Sequence, residues 1–148
     1  MATGQLRRGT TVGLPVAVAY SVSLVVAGHG WSGIVSSPGA VLLALGFVFF
    51  GVFQGIPVGL ASALACAGVE KVGLFDRPGR SKHLCRFAGG VVVGAVTAAA
   101  MFAYHRVLPD DDQTGLAPLI FVATVGAISA VLRFRVLAGR SAITGSAA

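Results

Sequence analysis

Residues 39–69 read GAVLLALGFVFFGVFQGIPVGLASALACAGV, thirty-one positions without a charge. Within them Gly51, Gly55, Gly59, Ala63 and Ala67 recur every four residues. On an α-helix that spacing collects them along one side. Phe49, Phe53, Ile56, Leu60 and Leu64 fall on roughly the opposite side. A helix that is smooth on one side, bulky on the other and polar on neither suits a second helix in front and lipid behind. The stretch is also long enough, since crossing the hydrocarbon core takes about 20 apolar residues.

The rest of the chain has the same character. Of its 148 residues 55% are hydrophobic and 11% are charged, and the mean hydropathy is +0.87. Soluble domains carry about 25% charged residues, and so few charges cannot cover a water-soluble surface of this size. Four apolar segments stand out, at about 12–27, 40–65, 87–104 and 116–132. The predicted fold is therefore an all-α integral membrane protein. It is a four-transmembrane-helix bundle in a single domain over 1–148, with one substantial loop at 67–86. Gly90 and Gly94 repeat the small-residue spacing in the third segment, so the helices are expected to pack through glycine and alanine faces. The helix-packing positions are Gly51, Gly55, Gly59, Ala63, Gly90 and Gly94.

The formal charge of +6 is distributed by topology. Arg7 and Arg8 precede the first span, and Lys71, Arg77, Arg80, Lys82 and Arg86 lie between the second and third. Arg133, Arg135 and Arg140 follow the fourth. The first outer loop has no Lys or Arg, and the second has Arg106 beside Asp110, Asp111 and Asp112. This alternation is the positive-inside pattern, which places both termini and the 67–86 loop in the cytoplasm. Arg77, Arg80, Lys82, Arg86, Arg133 and Arg135 are assigned to anionic lipid headgroups. No basic surface interleaved with aromatics is present, which argues against nucleic acid. The excess of Arg over Lys, with abundant Ala, Gly and Val, reads as a bacterial protein of the cytoplasmic membrane. Arg7-Arg8, an apolar run and Val25-x-Ala27 also resemble a secretory signal. Retention of the first span is favoured because the charge pattern balances with four helices.

Punctuation marks the ends of the segments. Pro15 is expected in the first turn of the first span, where proline is tolerated. Trp31 suits an interfacial anchor, and Pro38-Gly39 a turn. Pro57 removes a backbone donor and crowds the carbonyl of Phe53, so a kink is expected there. Gln54, the intramembrane polar residue, is expected to turn its amide into the bundle. The run Asp76-Arg77-x-Gly79-Arg80 is similar to a cytoplasmic loop signature of the major facilitator transporters. The resemblance covers one loop, and a chain of 148 residues cannot hold that family's many helices.

Chemistry is sparse. None of the four apolar segments contains Asp, Glu, Lys, Arg or His, although embedded ionisable groups are the usual mark of a transport path. No Ser/His/Asp, Cys/His or paired-carboxylate spacing suggests catalysis, and no metal or cofactor is assigned. His29 and His105 end the first and third spans, the only pattern from which a haem-ligand pair could be read. Cys66 and Cys85 are read as reduced thiols on the cytoplasmic side. The expected function is an interaction, assembly or regulatory subunit in the membrane, as a homo-oligomer or part of a larger complex. The alternative is a small homo-oligomeric transporter or channel for a neutral solute or ion, built around Gln54 and Pro57.

Overall fold

The computed structural model describes residues 2–73, 81–107 and 115–144, with side chains described for 10–73, 81–107 and 115–136. Every described element is a helix: α1 Ala2–Ile34, α2 Pro38–Lys71, α3 Lys82–Val107 and α4 Leu116–Thr144. Four stretches are long and apolar enough to cross a membrane: Thr10–Ile34, Pro38–Lys71, Lys82–Val107 and Leu116–Val136.

The helices overrun the apolar segments because polarity does not end a helix. α2 continues through Ala65-Cys66-Ala67-Gly68-Val69-Glu70-Lys71. It stops at Gly73, whose φ of +62° is the left-handed conformation that glycine supplies after a helix. At its other end Ser37 is the N-cap, its hydroxyl accepting from Ala40 N at 3.2 Å, and Pro38 takes the first helical position. The expected Pro-Gly turn is therefore a helix start. α1 is interrupted near its end by Gly30, at φ 67° and ψ 156°. Pro15 lies in the interior of α1, which begins at Ala2 rather than near residue 12. Pro57 also lies inside one continuous helix.

Two buried clusters give the order of the bundle. One joins Val12, Cys66, Val69, Val93, Ala130 and Phe134. The other joins Val16, Tyr20, Val58, Met101 and Val122. From the first to the second, numbers rise in α1 and α3 and fall in α2 and α4, so the helices run alternately up and down. α1 packs on α2, α2 on α3, α3 on α4, and α4 returns to α1. Tyr20 of α1 meets Tyr104 of α3 edge to face at 6.0 Å, so these two helices lie across the short diagonal. Consistently, α1 and α3 are the more buried helices and α2 and α4 the more exposed. The start of α3 and the close of α2 mark the basic end of the bundle. The α1–α2 turn marks the far end.

The hairpins are offset. Ser62 of α2 and Thr97 of α3 are in contact at 2.6 Å. From there α3 has ten residues to Val107, and α2 has 24 back to Pro38. At 1.5 Å per residue the α1–α2 hairpin projects about 20 Å past α3 at the far end. Burial in α2 follows this offset: Gly55, Val58, Gly59, Ser62, Cys66 and Val69 are buried, and nothing from Pro38 to Gln54 is.

Candidate functional site

The charged residues that the apolar segments lack are supplied by the helix extensions. Glu70 ends α2 four residues after Cys66, and Arg133 lies in α4. Arg133 Nε donates to Glu70 Oε1 at 2.5 Å, and its Nη1 donates to Thr11 Oγ1 at 2.9 Å. One guanidinium thus ties α1, α2 and α4 together. The two side chains are 11% and 20% exposed, for Arg133 and Glu70 respectively. The Cys66 thiol points at the same carboxylate oxygen from 3.8 Å. Arg133, assigned from the sequence to lipid headgroups, is turned inward onto Glu70, because a half-buried carboxylate is the stronger local partner for a guanidinium fork. This pair is a neutral clamp, and among the described residues no second carboxylate or imidazole is bonded to it.

The clamp closes one end of a groove of about 950 Å³ along the outer seam of α1 and α2. Gly13, Ala17 and Gly59 give the groove its small-residue lining, and Leu14, Ile56, Leu60 and Leu64 are its bulky neighbours. Lys71, Glu70 and Arg133 sit at its basic end.

The small-residue positions are brought together inside the bundle. An added Cβ on Gly55 would come within 2.7 Å of the Ala17 carbonyl oxygen, and one on Gly59 would overlap the Gly13 carbonyl oxygen. Gly51 faces Ser21, whose hydroxyl donates to Val48 O at 2.6 Å. The pairs 13–59, 17–55 and 21–51 repeat every four residues, so the backbones of α1 and α2 touch along a line. Ala63 borders the same contact, 3.6 Å from a Cβ built on Gly13. In the other hairpin Gly90 and Gly94 approach the carbonyls of Ala127 and Ala123. These glycine faces are occupied within one chain.

Gln54 is exposed on the outer surface of α2, as is Pro57. The expected inward amide is not found, because Gln54 lies at the end of the packed region of α2, whose buried positions begin at Gly55. Counting eight residues from the Ser62–Thr97 contact on each helix puts it level with His105, near where α3 ends. Its amide has no hydrogen-bond partner among the described residues. His105 instead stacks on Tyr20 at 5.7 Å, and His29 lies against Phe47 of α2. His29 is nine residues beyond Tyr20, about 13 Å along α1, so the two histidines do not meet at one site. His105 Nε2 is a buried nitrogen without a partner among the described residues. Among the described residues no group of three His, Cys, Asp or Glu is placed to hold a metal.

Lys82 and Arg135 are exposed at the basic end, and Arg86 is half-buried there. Arg77, Arg80 and Asp110 to Asp112 lie outside the described residues. No protein family, curated protein or solved structure matches the chain.

The sequence held signals for two features that the four-residue count in α2 alone does not reveal. Glu70 lies eleven residues after Gly59 and seven after Ala63. Once the helix is carried to Lys71, that spacing returns Glu70 to the small-residue side. Gly13, Ala17 and Ser21 repeat in α1 the spacing already visible in α2.

Proposed function

We propose that this chain is a small multi-pass subunit of the cytoplasmic membrane that works by assembling with another membrane protein. Both termini lie in the cytoplasm, as the placement of its basic residues suggests. The observation that carries the reading is the offset between the hairpins. From Pro38 to Gln54, α2 is apolar and has no fully buried residue: its α1 side is half-buried, and Leu42, Phe49, Phe50 and Phe53 stand outermost. The apolar belts of the two hairpins therefore stand at different heights, and a lone bundle has to tilt or deform the bilayer to cover both. A partner helix beside the far half of α2 removes that mismatch. Gln54, an amide facing outward at the edge of the packed region, supplies a hydrogen bond that such a partner can return.

The interior supports assembly over a path through one chain. Val16, Tyr20, Val58, Val93, Met101 and Val122 fill the axis of the described bundle. A small transporter or channel for a neutral solute or ion would have to be built between copies.

The test is a photo-crosslinking amino acid placed at Phe50, and separately at Ile128 on the exposed side of α4, in native membranes. The expected result is a defined protein adduct from Phe50 that Gln54→Leu weakens, with only lipid adducts from Ile128. Lipid adducts alone at both positions would rule the reading out. An adduct with a second copy of the chain would send the work to flux assays.

A further inference from the structure

The far half of α2 combines an excess of apolar length, a notch and two protruding rings on its outward side. We propose that its partner is a second copy of this chain, paired about a two-fold axis along the membrane normal with Gly46 at the helix crossing. The inference rests on the assembly reading above and names its partner.

Length shows why lipid does not suffice. The uncharged run 39–69 has thirty-one residues, about 46 Å of helix against roughly 30 Å of hydrocarbon. Even at the upper end of helix tilt, about 40°, it still rises about 36 Å. The same tilt shortens the apolar run 87–104 of α3 from about 27 Å to about 21 Å, too little to cross. Tilting therefore cannot serve both hairpins, and the surplus of α2 needs a protein surface.

That surplus matches a copy of itself. Gly46 lies nine residues before Gly55, two and a half turns, and so faces away from the contact with α1. Leu42, Phe49 and Phe53 share this outward side and are 62–70% exposed, while nothing lies within 4 Å of where a Cβ on Gly46 would be. A two-fold axis sets Phe49 of one copy over Gly46 of the other, and the reverse. The patch is uncharged, so like meets like without repulsion, and the positive-inside pattern brings both surpluses to one height. A phenylalanine offers about 150–250 Å², so Phe49 and Phe53 of two copies supply roughly 400–650 Å² at their present exposure. Leu42 and Leu45, also exposed, bring the total to on the order of 1,000 Å², the size of a small specific interface.

Charge fixes where the copies touch. Lys71 is exposed and lies twenty-five residues after Gly46, close to seven turns, on the same side of the helix. Pairing along the whole of α2 would set Lys71 against Lys71. A crossing at Gly46 of about −40°, the geometry that small residues allow, holds these two ammonium groups roughly 25 Å apart, well beyond the screening length of about 8 Å.

The experiment is cysteine crosslinking of the full chain in native membranes, with Phe49→Cys, Lys71→Cys and Ile128→Cys made singly. The unaltered chain is the control, since Cys66 and Cys85 are buried. Oxidation should link Phe49→Cys into a species of twice the chain mass, and should leave the other two and the control unlinked. Adding Gly46→Phe, which fills the notch at an open position, should lower the linked fraction at least tenfold, whereas Gly46→Ala keeps the position small and should still link. Should Gly46→Phe misfold, Leu42→Gln tests the same contact and should also lower the linked fraction. No dimer from Phe49→Cys would overturn the proposal, and so would equal linking from Lys71→Cys or linking that survives both contact variants. A foreign protein captured at Phe50 with no Phe49→Cys dimer would overturn the second copy alone and leave the assembly reading standing. Lipid adducts at Phe50 with no dimer would end both.

Discussion

Ser62 of α2 and Thr97 of α3 join their hydroxyl oxygens at 2.6 Å with neither side chain reaching the surface. Each hydroxyl is also within bonding reach of its own helix, Ser62 to Val58 O at 2.9 Å and Thr97 to Val93 O at 2.8 Å. Two protons serve three bonds, so one hydroxyl turns to its own carbonyl while the other crosses between helices. Neither residue depends wholly on the other. Thr97→Val should therefore cost only about 1 kcal/mol, and the coupling between the two sites should be near 0.6 kcal/mol, the average for interhelical bonds in a membrane protein. A double-mutant cycle with Ser62→Ala, read by reversible unfolding in detergent, measures it. A coupling of several kcal/mol would mean that the pair carries far more than packing.

The contact between α1 and α2 makes a sharper demand. Gly55 and Gly59 are the points where backbone meets backbone, against Ala17 and Gly13. Even a methyl group there pushes the helices apart, so Gly55→Ala and Gly59→Ala should each destabilise the bundle by about 1–3 kcal/mol, the usual cost of overpacking. Gly46 has open space around its missing Cβ. Gly46→Ala should raise stability by up to about 1 kcal/mol through helix propensity alone. Melting temperatures of the three variants decide it. Equal behaviour at Gly46 and Gly55 would contradict the close approach.

The four helices were readable because each is written in unbroken apolar sequence, and the small face of α2 because its period is regular. The matching stripe Gly13, Ala17, Ser21 was harder to see, since two glycine or alanine positions and a serine form no conspicuous pattern until a partner stripe is laid beside them. The clamp of Glu70 and Arg133 stayed hidden for a different reason. Apolar character stops before either residue, whereas helix continues past both, and a limit set by hydropathy cuts off the turns that carry the charge. The direction of Gln54 depended on where α3 ends relative to α2. No local property of α2 encodes that offset. It is set by which hydroxyls and glycines meet across helices.

Gly30 carries a prediction about the far hairpin. With φ of 67° and ψ of 156° it occupies a region that side chains avoid, although nothing lies within 4 Å of where its Cβ would be. The obstacle to substitution is therefore conformational rather than steric contact with neighbours. Gly30→Ala should cost about 1–3 kcal/mol and re-aim the last turn of α1, moving Trp31 relative to α2. Trp31 is the chain's one tryptophan, so its fluorescence maximum and quenching by brominated lipid report the change directly. An unchanged emission with unchanged stability would show that the turn tolerates an ordinary conformation.

The clamp at the basic end gives the clearest contrast between removing one partner and removing both. Arg133 is mostly enclosed, and its guanidinium is divided between Glu70 and Thr11. Glu70→Gln leaves that cation without its counter-charge, and Arg133→Leu leaves the carboxylate beside Cys66 without its own. A fully buried pair broken on one side costs about 3–5 kcal/mol. With part of each side chain open to solvent, about 2 kcal/mol is expected for each single change. Replacing both, as Glu70→Gln with Arg133→Leu, removes the stranded charge and should recover at least half of the loss. The sign of the recovery is the informative quantity. If the double variant is worse than either single one, the pair contributes through hydrogen-bond geometry to Thr11 rather than through charge. If each single change costs nothing, the two groups are held by solvent and the three helices meet without them. Thermal unfolding of the four proteins at two salt concentrations separates these cases, because a pair enclosed by α1, α2 and α4 should be screened far less than an exposed one.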